Sequence, residues 1–221
     1  MKTFHDLQEG VYDPNILKAF FLAGGPGSGK SYVIGRTTGG LGMKIVNSDD
    51  ALEKLLKDAG LSLKMPPEEE GPRDVVRGRA KELTAKRKAN YVEGRLGLII
   101  DGTGREFDKI SKQARELEIL GYDVYMIFVN TSLDVALQRN EQRPRSVPTS
   151  IVTNSWKAVQ SNIGKFSNFF KNGFIIVDNN DKDEDMMKIV IKRVRSLATR
   201  KVQNNRGKAW ISQQLQMKKR A

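Results

Sequence analysis

The sequence predicts an α/β fold: a parallel sheet of about five strands with helices on both faces, followed by a basic C-terminal tail. Two observations predict it. Short apolar runs alternate with longer segments of helical period, the pattern of βαβ units. The first such run, Ala19 to Ala23, leads directly into Gly24-Gly25-Pro26-Gly27-Ser28-Gly29-Lys30-Ser31, which satisfies the phosphate-loop pattern G-x-x-x-x-G-K-[ST] in full.

Residues 1–17 read as a polar lead-in with a turn at Asp13-Pro14. Ala19 to Ala23 has the length of a buried strand, and Tyr32 to Arg36 continues a helix whose first turn holds Lys30 and Ser31. Gly39, Gly40 and Gly42 turn the chain into a second strand, Met43 to Val46, followed at once by Asn47-Ser48-Asp49-Asp50. A helix over Ala51–Ala59 stops at Gly60. The proline-rich stretch Met65 to Pro72 is expected to exclude regular helix, with a long charged helix from Arg73 to Arg95.

Leu96 to Ile100 is the third strand and ends in Asp101-Gly102-Thr103-Gly104-Arg105. Ile110, Ala114, Leu117 and Leu120 recur at a period near 3.6, marking a helix from Lys109 that Gly121 terminates. Val124 to Val129 is the fourth strand. Helices over Asn130–Arg143 and from Pro148 to about Phe170 precede the fifth, Phe174 to Val177. A basic helix starts after Asp181, and the polar end beyond Val202 is expected to be mobile.

Composition narrows the chemistry. The 221 residues contain no cysteine and one histidine, His5, which excludes disulfides and thiolate catalysis and argues against histidine acid-base work. No run is long enough to span a bilayer, and the N-terminus lacks a secretory apolar stretch, so a cytoplasmic protein without a membrane partner is expected. The net charge is +12, yet eleven basic residues and no acidic one lie between Met186 and Ala221, leaving residues 1–185 near +1. Such a tail suits nucleic acid or an acidic partner, and equally a solvated helix face.

In parallel sheets, ligands bind beyond the carboxyl ends of the strands, so the three clusters that follow strands are expected to share one crevice. Glycines let the Gly24–Gly29 backbone fold around a phosphate at a helix N-terminus. Lys30 supplies charge to the transferred phosphate, and the Ser31 hydroxyl is a Mg²⁺ ligand of an ATP or GTP complex. Asp49, following the strand next to the phosphate loop, is the candidate base for an acceptor hydroxyl; its alternative, shared with Ser48, is a helix cap. Asp101 occupies the place of a Walker-B carboxylate, where it binds Mg²⁺-bound water or substrate; its alternative is an Asx-turn ahead of Gly102. Asp50, Thr103 and Arg105 complete the acceptor-binding set. Arg139 and Arg143 are four apart on one helical face and suit a lid near 139–148 closing over a triphosphate.

These residues resemble the phosphate-loop kinases of the zeta-toxin and phage-type polynucleotide kinase group. Leu98-Ile99-Ile100-Asp101-Gly102-Thr103-Gly104-Arg105 is similar to the zeta-toxin stretch I-E-G-T-G-R, with Asp101 in place of the usual Glu. Asn47-Ser48-Asp49-Asp50, and Arg139-Asn140 with Arg143 and Val147-Pro148, resemble the catalytic and lid segments of 5′-hydroxyl polynucleotide kinases. The resemblance spans Ala19 to Val177. It implies that Asp49 accepts the proton, that Arg139 and Arg143 contact the ATP phosphates, and that the first group's acceptor is a nucleotide sugar. The expected division is a lead-in (1–17), a P-loop kinase domain (18–185) and a basic helix and tail (186–221). The expected function is ATP-dependent transfer of the γ-phosphate to a hydroxyl, on a nucleic-acid 5′ end or on a nucleotide sugar or other small metabolite. From a different class comes a nucleotide-binding assembly protein that works through its basic tail without significant turnover.

Overall fold

Both central strands present apolar side chains to both sides, which requires a covering layer on each face of the sheet. In β1 (Lys18–Ala23), Ala19, Phe21 and Ala23 point into one core and Phe20 and Leu22 into the other. In β4 (Asp123–Asn130), Met126 and Phe128 join the first, and Tyr125, Ile127 and Val129 the second. The structure, a computed structural model, describes residues 10–63, 66–142, 147–181 and 183–220. The first core is covered by α4 (Phe107–Ile119), α6 (Thr149–Gln160) and α7 (Ile163–Phe170). The second is covered by α1 (Lys30–Thr38) and α8 (Glu184–Thr199). A satellite core of Ala51, Leu52, Leu56 and Ala80 joins α2 (Asp49–Asp58) to α3 (Glu70–Glu93).

With β2 (Lys44–Val46), β3 (Leu98–Ile100) and β5 (Phe174–Asp178), the sheet has five parallel strands in the order β2-β3-β1-β4-β5. This α/β architecture agrees with the fold expected from the sequence. One detail corrects it: β2 is not next to β1, because β3 lies between them, paired Phe20 to Ile99 and Ile45 to Ile99. Asp49 therefore reaches the phosphate loop across the end of β3. The Asp101 N–H donates to the Val46 carbonyl at 3.0 Å and holds the two strand ends level.

Two further segments differ from the reading of the sequence. Helix α3 starts at Glu70 and contains Pro72 in its first turn. The first four N–H groups of a helix have no partner inside it, so a proline there sacrifices no bond. The helix expected from Pro148 to Phe170 breaks between α6 and α7, where the buried Asn162 amide donates to the Gly104 and Arg105 carbonyls at 3.1 and 2.9 Å.

The end of the chain is the largest correction. Beyond Val202 runs a helix, α9 (Asn205–Arg220). Trp210 and Ile211 pack it against the first core, and polar contacts fix its start: the Asp123 carboxylate accepts from the Gln203 and Asn204 N–H groups at 2.8–3.1 Å. A Cβ on Gly121 would come within 2.8 Å of Gly207 Cα, so two glycines let the first turn of α9 approach the β4 turn. The charge boundary after residue 185 falls inside α8, whose Met187, Val190, Val194 and Leu197 are core residues. Several of the basic groups beyond it have local partners. Arg193, Arg195 and Arg206 donate to the carbonyls of Asn172, Gly39 and Ile119, and Lys218 lies 4.7 Å from the Tyr12 ring centre. Among the described residues, no helix is long and apolar enough to cross a membrane.

Lys18 is wholly buried, with Nζ 2.6 Å from Asp123 Oδ2, and burial holds its pKa below the ordinary lysine value despite that carboxylate. Asp123→Ala should cost about 3–5 kcal/mol, because it strands a buried ammonium and releases the start of α9. Urea unfolding would measure it, and a loss below about 1 kcal/mol would reject this account.

Candidate functional site

At the carboxyl edge of β1, β2 and β3 lies a cavity of about 870 Å³. Pro26, Lys30 and Ser31 wall it from the first loop, Asn47 to Asp50 from the second, and Asp101 to Thr103 from the third. The topology thus brings together the three clusters that follow strands. The Gly24 N–H donates to the Thr103 carbonyl at 2.9 Å, which joins the first loop to the third.

The phosphate loop is shaped by two glycines. Gly27 and Gly29 have φ of +80° and +83°, and a Cβ on either would collide, with the Ala136 carbonyl and the Asn179 amide respectively. Helix α1 begins at Lys30 immediately after them, so its free N–H groups face the loop. Lys30 Nζ donates to the Gly24 carbonyl at 2.6 Å, folding the ammonium back over the loop. Gly25 and Ser28 form the intervening turn, the Ser28 N–H donating to the Gly25 carbonyl at 3.2 Å. Ser31 lies exposed in the first turn of α1.

Asp101 accepts a hydrogen bond from the Asn47 amide through Oδ2 at 3.1 Å, while its buried Oδ1 has no partner among the described residues. Burial pushes its pKa above the ordinary aspartate value; Lys30 opposes that shift, and Asp49 and Asp50 add to it. Asp101 therefore lies within the field of the other three charges. Asp49 is the first residue of α2 and is exposed to the cavity. Neither Ser48 nor Asp49 caps that helix with its side chain: Asn47 Oδ1 accepts the Asp49 N–H at 2.8 Å, which leaves the Asp49 carboxylate outside the capping. Asp50 lies beside it on the same wall.

A second cleft of about 710 Å³ shares Ser48, Asp101, Gly102 and Thr103 with the first and continues between α3 and α4. Lys81, Thr84, Ala85 and Lys88 line it at the spacing of one helical face, with Arg105 and Lys109 opposite. Burial lowers the Lys88 pKa, partly offset by Glu116. Arg105 thus belongs to this second cleft, whereas Thr103 borders both.

Arg139, in the last turn of α5 (Leu133–Glu141), is not on the cavity wall. Its fork donates to the Asn179 and Asn180 carbonyls at 2.6 and 3.1 Å. Arg143 lies outside the described residues. Its neighbour in the motif, buried Asn140, does wall the cavity, giving and taking hydrogen bonds with the Val147 backbone at 2.8 and 3.1 Å. Asn47, Asn140, Asn162 and Asn179, and Lys81, Lys88 and Lys109 of the second cleft, are among the residues that the sequence did not single out. Asn47 and Asn140 stand inside recognised motifs, but the contacts of Asn162 and Asn179 carry no local signal.

A zeta toxin model matches residues 12–188, four fifths of the chain. The chain belongs to the zeta toxin family. As a member of that family it is a P-loop kinase, and its sheet and loop are those of such an enzyme. Solved structures share the fold. A kinase-like protein of Chloroflexus aurantiacus is 17% identical, with a TM-score of 0.58 over 81% of this chain and 97% of that one. The Pnkp1/Rnl/Hen1 RNA repair complex is 21% identical, with a TM-score of 0.53 over 69% and 47%. The AvrRxo1-ORF1:AvrRxo1-ORF2 complex with sulphate ions is 18% identical, with a TM-score of 0.56 over 72% and 54%. No curated protein matches the chain by sequence.

Kinases of this fold use a Mg²⁺–nucleotide complex. Among the described residues, no cluster of three acidic or histidine side chains could hold a metal alone. Mg²⁺ is usually bound through one or two protein oxygens together with substrate phosphates, so it needs no such cluster. The Ser31 hydroxyl and the unpartnered Asp101 Oδ1, both at the cavity, are such oxygens.

Proposed function

We propose that this zeta toxin family kinase transfers the γ-phosphate of ATP to a hydroxyl of an acceptor that itself carries phosphate, a nucleotide sugar being the class that fits best. The observation that supports it is the basic cleft joined to the phosphate-loop cavity. Lys81, Lys88 and Arg105, with Lys109 paired to Glu106 at 3.5 Å, surround a space of about 710 Å³, within the size range of small-molecule sites. That cleft opens onto Asp101 and Thr103 of the phosphate-loop cavity, so a hydroxyl presented there faces the wall that carries Asp49, Asp101 and Lys30.

In this reading, Gly24, Gly25, Pro26, Gly27, Ser28 and Gly29 cradle the phosphates through their backbone. Asp49 orients the acceptor hydroxyl and accepts its proton as oxygen attacks the γ-phosphorus and the bond to the β-phosphate oxygen breaks. Lys30 stays with the transferred group and offsets its charge. Ser31 and Asp101 would hold Mg²⁺, which when bound would supply positive charge to the nucleotide phosphates, and Asp50, Thr103 and Arg105 bind the acceptor. Arg139 and Arg143 close from the lid, which for Arg139 means exchanging the Asn179 and Asn180 carbonyls for phosphate oxygens.

The test is transfer of labelled γ-phosphate from ATP to nucleotide sugars, sugar phosphates and 5′-hydroxyl oligonucleotides. Labelling of the small phosphorylated acceptors is expected, and Arg105→Ala should raise the acceptor KM by about tenfold or more with nucleotide KM unchanged. Exclusive labelling of oligonucleotides would move the acceptor to a nucleic-acid 5′ end. Labelling of none, with ATP still bound, would favour the assembly-protein alternative.

A further inference from the structure

Outside the residues already given roles, one buried polar side chain touches the phosphate loop. Asn179 follows directly after β5, its N–H donating to the Asn130 carbonyl at 2.9 Å as a continuation of the β4–β5 pairing. It is 5% exposed, and its Nδ2 donates to the Ser28 carbonyl at 2.8 Å, across 151 residues of sequence. The same amide fills the space that a Cβ on Gly29 would need. Behind it, the Arg139 fork grips the Asn179 and Asn180 carbonyls, and the Asn180 side-chain oxygen accepts the Ser132 N–H at 2.6 Å.

We infer that Asn179 is a positioning residue for nucleotide binding: by anchoring the Ser28 carbonyl to the end of β5, it fixes the orientation of the Ser28–Gly29 peptide. That peptide is planar and trans, so its C=O and N–H point in opposite directions. With the carbonyl held by Asn179, the Gly29 N–H is turned away from β5 and held ready for an anion. Gly29, at φ +83°, lacks the side-chain restraint that would otherwise fix this peptide, and the loop on either side is a turn. The restraint comes instead from the sheet, through a side chain whose own backbone is part of the strand pairing. Rigid support of this kind is what a phosphate cradle requires, since its donors must be in place before the anion arrives.

This inference rests on the kinase reading only in taking the loop to bind nucleotide, so direct ATP binding by calorimetry tests it without an acceptor. Asn179→Asp keeps the shape but sets a carboxylate against the Ser28 carbonyl. ATP affinity should fall about tenfold or more. In turnover assays nucleotide KM should rise in step, while acceptor KM stays within about twofold, a split that general loosening of the fold would not produce. Asn179→Ala removes the same donor without adding charge and should weaken ATP in the same direction, which covers a failure of the Asp variant to fold. Unchanged ATP affinity in a folded variant would overturn the inference. Equal losses on the nucleotide and acceptor sides would also overturn it, by making Asn179 merely structural. A wild-type protein that binds no ATP would sink the kinase reading itself, and this inference with it.

Discussion

Lys30→Ala should reduce phosphoryl transfer by at least about 10³-fold while the protein remains folded. The ammonium lies over the phosphate loop, 2.6 Å from the Gly24 carbonyl and on the wall of the cavity, whereas the apolar contacts of α1 are made by Val33 and Ile34. Deletion therefore removes positive charge from the site and little packing from the core. A second consequence follows from Asp101, whose pKa Lys30 holds down against burial. Without Lys30 the Asp101 pKa rises further, so a smaller fraction is ionised at a given pH. Any residual activity should then have its acidic limb displaced to higher pH than in the wild type. Labelled-phosphate transfer across a pH series, with circular dichroism as the folding control, measures both effects. Normal turnover in a folded Lys30→Ala protein would remove the catalytic role assigned to the loop.

The phosphate loop was legible because everything that shapes it is local: glycines at the left-handed positions, and a strand and a helix on either side within a dozen residues. The inner strands were legible for a similar reason, since a doubly covered sheet makes β1, β3 and β4 mostly apolar along their length. Strand order was not. That β3 rather than β2 pairs with β1 is decided by contacts such as Phe20 to Ile99, which leave no trace in either strand's own composition. The end of the chain misled for a physical reason too. Its apolar residues are few: Val202, Trp210 and Ile211 pack on the core, and a carboxylate eighty residues away fixes the start of α9 by accepting backbone N–H groups. Its Arg206, like Arg193 and Arg195 of α8, is exposed as the charge suggests and also donates to a carbonyl of the fold. Among the residues of the phosphate-loop cavity, most of those with charge stand in the three clusters that follow strands, whereas Lys81, Lys88 and Lys109 of the second cleft lie on helices and carry no local signal. The amides, Asn47 on Asp101 and Asn179 on Ser28, were not legible either, because an asparagine's role depends on what lies opposite it.

Asp49→Asn should lower turnover by about 10²–10⁴-fold and leave ATP affinity and folding nearly unchanged. The substitution keeps the shape of the side chain and removes its ability to take a proton. Its effect on stability should be small for an identifiable reason: the helix start is capped by Asn47 Oδ1 on the Asp49 N–H, a bond that Asp49→Asn preserves. The remaining cost is the loss of one negative charge at a helix N-terminus, about 0.3–1 kcal/mol, which thermal unfolding can resolve. Asn47→Ala is the informative contrast. It should destabilise α2 and free Asp101 Oδ2 as well, affecting folding and turnover together. Stopped-assay turnover at saturating ATP, set beside calorimetric ATP affinity, separates the two cases. A base lost from an intact site lowers the rate alone. If Asp49→Asn instead weakens ATP binding and stability in proportion to its rate, its carboxylate is part of the scaffold, and the proton acceptor has to be sought among the other acidic groups of the cavity, Asp50, Glu53 and Asp101.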